Sequence, residues 1–115
     1  MSSIFVQNES RIFAGSSTKL YTINAVNLND IFVRGSISTY GTVNDIFSVG
    51  NLSFLATSSP NKELQIIDIA DPDNLALISY FDFPQEATGI DYVNNLIFVS
   101  VRSNNALRII TSTQL

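Results

Sequence analysis

Residues 43–83, VNDIFSVGNLSFLATSSPNKELQIIDIADPDNLALISYFDF, contain four short segments that are rich in β-branched and aromatic residues. Gly, Asn, Asp, Pro and Ser separate these segments, which is the pattern of antiparallel strands joined by turns. The dipeptide Gly50-Asn51 predicts a tight hairpin because both residues tolerate a positive φ angle. No stretch has a sustained helical apolar period, so the sequence predicts essentially no helix. The predicted strands are residues 43–49, 52–57, 63–69 and 75–83.

The same pattern occurs before and after this stretch with a period of about 44 residues, which is typical of propeller blades. Three apolar positions recur in all three units. The matched sets are Phe13, Phe54 and Phe98; Leu20, Leu64 and Leu107; and Ile23, Ile67 and Ile110. The units are approximately residues 4–39, 43–83 and 87–115. We therefore predict an all-β chain in which residues 1–115 form a single partial β-propeller, an arc of about three four-stranded blades, the last without its outer strand.

Asp68 interrupts an apolar strand, which raises the question of a catalytic role. The matching position holds Asn24 in the first unit and Thr111 in the third. All three side chains are short and polar, and such residues accept hydrogen bonds from free backbone N–H groups where a strand enters a turn. A catalytic residue is not expected to appear as Asp, Asn and Thr in three copies. We therefore predict that Asp68 holds a turn.

The unit resembles the LVIVD repeat, a β-propeller family. Its core is a strand ending in Leu-x-Ile-Ile-Asp, followed by an Asn-Pro or Asp-Pro turn and a second apolar strand. Residues 64–69 (LQIIDI) with Asp71-Pro72 fit closely, residues 107–111 (LRIIT) fit with Thr111 in place of Asp, and residues 20–24 (LYTIN) fit loosely. The resemblance implies a propeller blade fold, an exported or surface-associated protein, and no shared catalytic residues.

An arc of three blades leaves an apolar sheet face bare at each end. At roughly 25 cal/mol per Å², leaving several hundred Å² uncovered forfeits on the order of 10 kcal/mol. Two copies arranged head to tail could close a ring of about six blades, which is the arrangement we favour. An open head-to-tail polymer or a longer propeller chain would also cover the faces. A plain β-sandwich is a competing fold that leaves the period unexplained. The strand at residues 106–111 is expected to offer an open edge.

Composition excludes several classes of function. The 115 residues are 45% hydrophobic and 14% charged, with a formal net charge of −4 and scattered basic residues, so no nucleic-acid surface is predicted. The absence of Cys and His excludes thiolate or His-based nucleophilic catalysis and a zinc site. We predict no catalytic residue, no metal and no cofactor. No apolar run approaches the roughly 18 residues of a membrane span, and the start MSSIFVQNES is not a secretion signal.

Seven residues are candidates for binding a ligand. In a propeller, the first strand of each blade lines the central channel, and the loops leading into these strands gather at one mouth. The candidates at this mouth are Tyr40, Thr42, Asn44, Asp45, Glu86, Thr88 and Asp91. Asp45 and Asp91 are of most interest because they match Gly89 and Phe47, so both depart from the repeat. The acids of the DIADPDN turn (68–74) suggest calcium, but an Asp-Pro turn is the simpler interpretation.

These observations favour a non-enzymatic β-propeller module that acts in self-assembly or protein–protein interaction, with a homo-oligomer or further blades as its partner. The alternative is a propeller that binds or hydrolyses carbohydrate through the acids at the channel mouth. Asn8 and Asn51 begin Asn-x-Ser sequons, which matter only in a glycosylating compartment.

Overall fold

The computed structural model describes residues 3–103 and 106–111. These residues form eleven antiparallel strands in three sheets and contain no helix, which confirms the predicted all-β class. The first sheet comprises β1 (Ser3–Asn8), β2 (Arg11–Gly15), β3 (Lys19–Asn24) and β4 (Phe32–Ser38). The second comprises β5 (Val43–Val49), β6 (Leu52–Thr57), β7 (Leu64–Asp68) and β8 (Ala76–Phe81). The third comprises β9 (Ala87–Val93), β10 (Leu96–Val101) and β11 (Leu107–Thr111).

Each sheet is a meander in which hydrogen-bonded neighbours follow chain order. The described residues form three sheets, whereas a plain β-sandwich has two. The strand registers define structurally equivalent positions in the three sheets. One such set is the pairs Phe5–Phe13, Phe47–Phe54 and Asp91–Phe98. The sequence predicts that the third unit lacks a fourth strand. This prediction involves residues 112–115, which lie outside the described residues.

Two-residue turns connect the first two strands of the second and third sheets. The predicted turn at Gly50-Asn51 is confirmed, although only Gly50 has a positive φ angle, of 57°. At the equivalent turn of the third sheet, Asn94 and Asn95 have φ angles of 52° and 64°. Asn tolerates this left-handed region better than other non-glycine residues, so an Asn pair can close the third hairpin.

Two apolar clusters lie between neighbouring sheets, and we call them the first and second seams. The first seam, between the first and second sheets, contains Phe13, Leu20, Val43, Ile46, Leu55, Ile67 and Ile69. The second seam, between the second and third sheets, contains Phe54, Ala56, Leu64, Ile66, Phe83, Ala87, Ile97, Val99, Val101 and Ile110. The second sheet is thus covered on both faces, because side chains of a strand alternate between the two faces of a sheet.

The first and third sheets are each covered on one face only within the described residues. Ile4 is 68% exposed on the first outer face, whereas the equivalent Ile46 is 3% exposed in the first seam. Leu107 is 59% exposed on the third outer face, whereas the equivalent Leu20 and Leu64 are completely buried. The first outer face also carries Val6 and Val33, and the third outer face also carries Phe98 and Ile109.

No helix in the described part of the chain is long and apolar enough to cross a membrane. Four of the seven candidate residues lie in strands, Asn44 and Asp45 in β5 and Thr88 and Asp91 in β9. The loops that carry Tyr40, Thr42 and Glu86 precede β5 and β9, which are the first strands of the second and third sheets.

Candidate functional site

The seven predicted site residues do not form one site. Tyr40 lies in the loop before β5 with a φ angle of 59°, and its ring is highly exposed. The Lys62 ammonium group lies 4.9 Å from the centre of the Tyr40 ring and 5.2 Å from that of Tyr80, which are cation–π distances. Thr42 instead closes the loop, since its N–H donates to Ser58 Oγ at 3.0 Å and its carbonyl accepts from Ser58 N–H at 3.0 Å.

Asn44, Glu86 and Thr88 are brought together, and with Arg102 they line a cavity of about 240 Å³. Asn44 Nδ2 donates to the Ala87 carbonyl at 2.8 Å and to Glu86 Oε2 at 3.3 Å. Arg102 Nη1 forms an ion pair with Glu86 Oε1 at 2.9 Å. Because Arg102 is largely exposed, this pair adds little stability. Asn44 thus joins β5 to β9, Arg102 pairs with Glu86, and the Thr88 hydroxyl bonds to the Ser100 hydroxyl at 2.9 Å.

Asp45 and Asp91 line a different cavity, of about 370 Å³, on the third outer face. Asp45 Oδ2 accepts from Ile90 N–H and Oδ1 accepts from Ile46 N–H, both at 2.9 Å. The bond from Ile90 joins the second sheet to the third, so Asp45 has a structural function. Asp91 is exposed, and among the described residues its Oδ1 accepts a hydrogen bond from Tyr92 N–H at 2.8 Å. The remaining lining residues are Gly89, Ile90, Phe98, Ser100 and Leu107.

Sequence reasoning missed Arg102 and Phe98 as cavity residues. Arg102 lies 16 positions from its partner Glu86, and no local pattern links the two. Phe98 is equivalent in register to Phe13 and Phe54, which are buried in the two seams. Phe98 therefore has the sequence signature of a core residue, and only the lack of a neighbouring sheet among the described residues opens a cavity beside it.

The DIADPDN turn uses its carboxylates for its own structure. Asp71 Oδ1 accepts from Asp73 N–H at 3.0 Å, and Oδ2 accepts from Asn74 Nδ2 at 2.9 Å. The Asn74 amide is the main cause that holds the pKa of Asp71 below its ordinary value, followed by the Asp73 N–H. Asp73 forms a bidentate ion pair with Arg34, both contacts being 3.0 Å. Among the described residues, no three metal-ligating side chains are grouped closely enough to hold an ion.

Comparisons with known proteins give likenesses to solved structures only. No family model matches the chain, and no curated protein matches it. Among solved structures, it is similar to the crystal structure of the computationally designed Ika4 protein, with 7% identity and a TM-score of 0.48. The match covers 95% of this chain and 89% of that chain. This likeness supports no statement about function, so the residues of this chain are the only basis for a functional proposal.

Proposed function

We propose that the chain is a non-enzymatic assembly module, an arc of an LVIVD-type β-propeller whose two outer faces bind a second copy head to tail. The observation that carries this proposal is the equivalence between the outer faces and the two faces that pack in each internal seam. The same chemistry that joins the three sheets inside one chain would then join two chains.

The third outer face corresponds to the face of the first sheet that packs against the second sheet, and to the face of the second sheet that packs against the third. Leu107 and Phe98 occupy the register positions of Leu64 and Phe54, which pack in the second seam. The first outer face corresponds to the opposite side of each seam, since Ile4 occupies the position of Ile46. The two outer faces are therefore unlike one another, and each corresponds to one of the two sides of an internal seam. They are complementary in the same way as those two sides.

One substitution on the third outer face weakens this complementarity. Asp91 stands where Phe5 and Phe47 stand in the other two sheets. Phe5 and Phe47 contact each other with ring centres 5.1 Å apart, whereas a docked copy would have to desolvate the Asp91 carboxylate. We therefore expect the seam between copies to be weaker than the internal seams and the assembly to depend on concentration.

Light scattering over a concentration series tests the proposal. We expect the mass to rise toward that of two copies, and both Ile4→Asp and Leu107→Asp to keep the chain monomeric, because each places a charge on one outer face. Leu28→Asp is the matched control: Leu28 is similarly exposed but lies in the turn between β3 and β4, away from the outer faces.

A mixture of the two variants distinguishes head-to-tail assembly from association of like faces. Ile4→Asp retains an intact third outer face and Leu107→Asp an intact first outer face, so the mixture should regain one seam and part of the mass. Association by Ile4→Asp alone or by Leu107→Asp alone would exclude the head-to-tail arrangement. A stable wild-type monomer at all concentrations would contradict self-assembly, and continuous growth would indicate the open polymer.

A carbohydrate-binding or glycan-hydrolysing propeller is a second candidate, favoured by one observation. Asp45 and Asp91 line the same cavity, and the ring of Phe98 lies beside them. Asp91 is the better residue to change, since Asp45 joins two sheets. If Asp91→Asn abolished binding to, or hydrolysis of, a glycan while mass in solution stayed unchanged, this second function would hold. Failure of the unmodified chain to retain any glycan on an array would count against it.

A further inference from the structure

The outer edge of β11 at Leu107 and Ile109 faces no neighbouring strand among the described residues. Within the described residues, β11 pairs only with β10. Val101 N–H donates to the Ala106 carbonyl, and antiparallel pairs alternate, so Arg108 and Ile110 bond to β10. The N–H and C=O groups of Leu107 and Ile109 therefore point outward. Such an edge is a template for the addition of another strand.

The other two sheets show which strand fits this edge. β4 covers β3, and β8 covers β7, with the same register and with an irregularity at the same point. In both β4 and β8, the covering strand contains a five-residue segment with a bulky apolar residue at its first and fifth positions. The register pairs are Leu20–Ile37 and Ile23–Val33 in the first sheet, and Leu64–Phe81 and Ile67–Leu77 in the second. Leu107 and Ile110 are the equivalent residues of β11, so an added strand needs the same two apolar residues.

Arg108 specifies one more position of the added strand. Its Nε is buried and has no hydrogen-bond partner among the described residues, and its guanidinium carbon lies 5.7 Å from the centre of the Phe83 ring. The equivalent residues Tyr21 and Gln65 pair with Ser36 and Tyr80, each just before the second apolar residue. A side chain at that position would lie opposite Arg108, about 5 Å away between Cβ atoms. A carboxylate there would form a charge-assisted hydrogen bond with the guanidinium.

We propose that β11 binds an extended peptide as its fourth strand, with the pattern bulky apolar–x–x–acidic–bulky apolar. No five-residue stretch of the given sequence carries the full pattern, so a second copy of these residues is not the occupant that we propose. This inference goes beyond the proposed assembly, because the strand edge and the outer faces are different surfaces. Arg108 lies on the opposite side of β11 from the third outer face, since the side chains alternate.

Fluorescence anisotropy with a labelled synthetic peptide tests the proposal on the full chain. The probe has the sequence of residues 75–83 with Tyr80→Glu, so that β8 supplies the two apolar residues at Leu77 and Phe81. We expect it to bind about tenfold more tightly than the same peptide with Tyr80→Lys. A peptide in which both apolar residues are Ser should not bind, because burial of these side chains drives the association.

Two protein variants separate the parts of the site. Arg108→Ala should bring the Glu and Lys peptides to within about twofold of one another, whereas the matched Arg102→Ala should leave the tenfold preference intact. Ile109→Pro removes an outward N–H without removing a bond to β10, so it should abolish binding of every peptide while the far-ultraviolet circular dichroism stays that of the wild type.

The outcomes distinguish this inference from the proposed assembly. Equal affinity for the Glu and Lys peptides, or an unchanged preference in Arg108→Ala, would overturn the peptide proposal even if the chain assembles. Loss of peptide binding as the copies associate would assign the edge to the second copy and also overturn it. Selective peptide binding by a chain that remains monomeric would support the edge site and contradict the assembly.

Discussion

The side chain of Asp68 closes a turn. Its Oδ1 accepts from Ala70 N–H at 2.9 Å, and the equivalent Asn24 Oδ1 accepts from Val26 N–H at 3.0 Å. Asp and Asn thus make the same bond two residues ahead, which confirms the predicted structural role of Asp68. Because the neutral Asn makes the bond equally well, the charge of Asp68 is not required by the turn.

At the same scale, the Asp71 carboxylate gives a prediction about pH. Its pKa is lowered below 3.8, first by the Asn74 amide. When the pKa of a carboxyl group is lower in the folded state, its charged form stabilises the fold at pH values above the unfolded-state pKa. This contribution to the free energy of unfolding is lost as the pH falls through the folded-state pKa. Asn74→Ala should raise the pKa of Asp71 toward 3.8, as followed by a carboxyl NMR titration, and reduce this contribution. Asn29→Ala, in the turn between β3 and β4, is the control; an unchanged Asp71 pKa in Asn74→Ala would mean that the Asp73 N–H suffices.

At the scale of elements, β4 of the first sheet rests on the turn between β7 and β8. Gly35 allows this approach, since a Cβ atom there would lie 2.4 Å from the Pro72 carbonyl oxygen. The bidentate pair between Arg34 and Asp73 closes the same contact. The close backbone approach and the ion pair therefore depend on each other, and a side chain at position 35 would push both apart.

We predict that Gly35→Ala costs about 1–3 kcal/mol in the free energy of unfolding, because the backbone atoms it meets cannot rotate away. Urea denaturation measures this cost. Its effect should be non-additive with Arg34→Ala by at least about 0.5 kcal/mol, since both act on one contact. Gly50→Ala is the control: Gly50 needs its positive φ but has open space around it, so its cost should add to that of Arg34→Ala. Full additivity for Gly35→Ala would show that the two sheets separate without losing the ion pair.

At the scale of the whole molecule, the second sheet holds the other two. Both seams use its side chains, and a series of aromatic contacts links residues of all three sheets. Phe47 contacts Phe5 with ring centres 5.1 Å apart and Tyr92 at 6.0 Å, and Phe54 stacks on Tyr92 at 5.4 Å. Phe47, in the second sheet, therefore contacts an aromatic ring of the first sheet and another of the third.

Phe47→Ala should destabilise the chain by about 2–3 kcal/mol, less than the largest costs known for fully buried Phe, because Phe47 is only half-buried. Denaturation followed by tyrosine fluorescence and circular dichroism measures the loss, since the chain has no Trp. Phe32→Ala, at an exposed position of β4, should cost less than about 1 kcal/mol. Equal costs for the two variants would mean that the aromatic contacts at Phe47 contribute nothing beyond surface burial.

The sequence by itself determined the all-β class, the strands and the turns of this protein. Strand 43–49 was predicted at its observed bounds, and the turn at Gly50-Asn51 follows from the φ angles that these residues tolerate. The role of Asp68 was equally accessible, since a hydrogen bond two residues away is a local property. These features depend on neighbouring residues of the chain, so a local pattern carries them.

Only the tertiary structure decided which faces are buried and which candidate residues meet. Phe54 and Phe98 have the same place in the sequence pattern, but within the described part of the chain another sheet packs against Phe54 and none against Phe98. For the same reason Asn44 and Asp45, adjacent in β5, line different cavities. Alternation tells which residues share a face of a strand, whereas the cover of that face comes from a distant part of the chain or from another molecule.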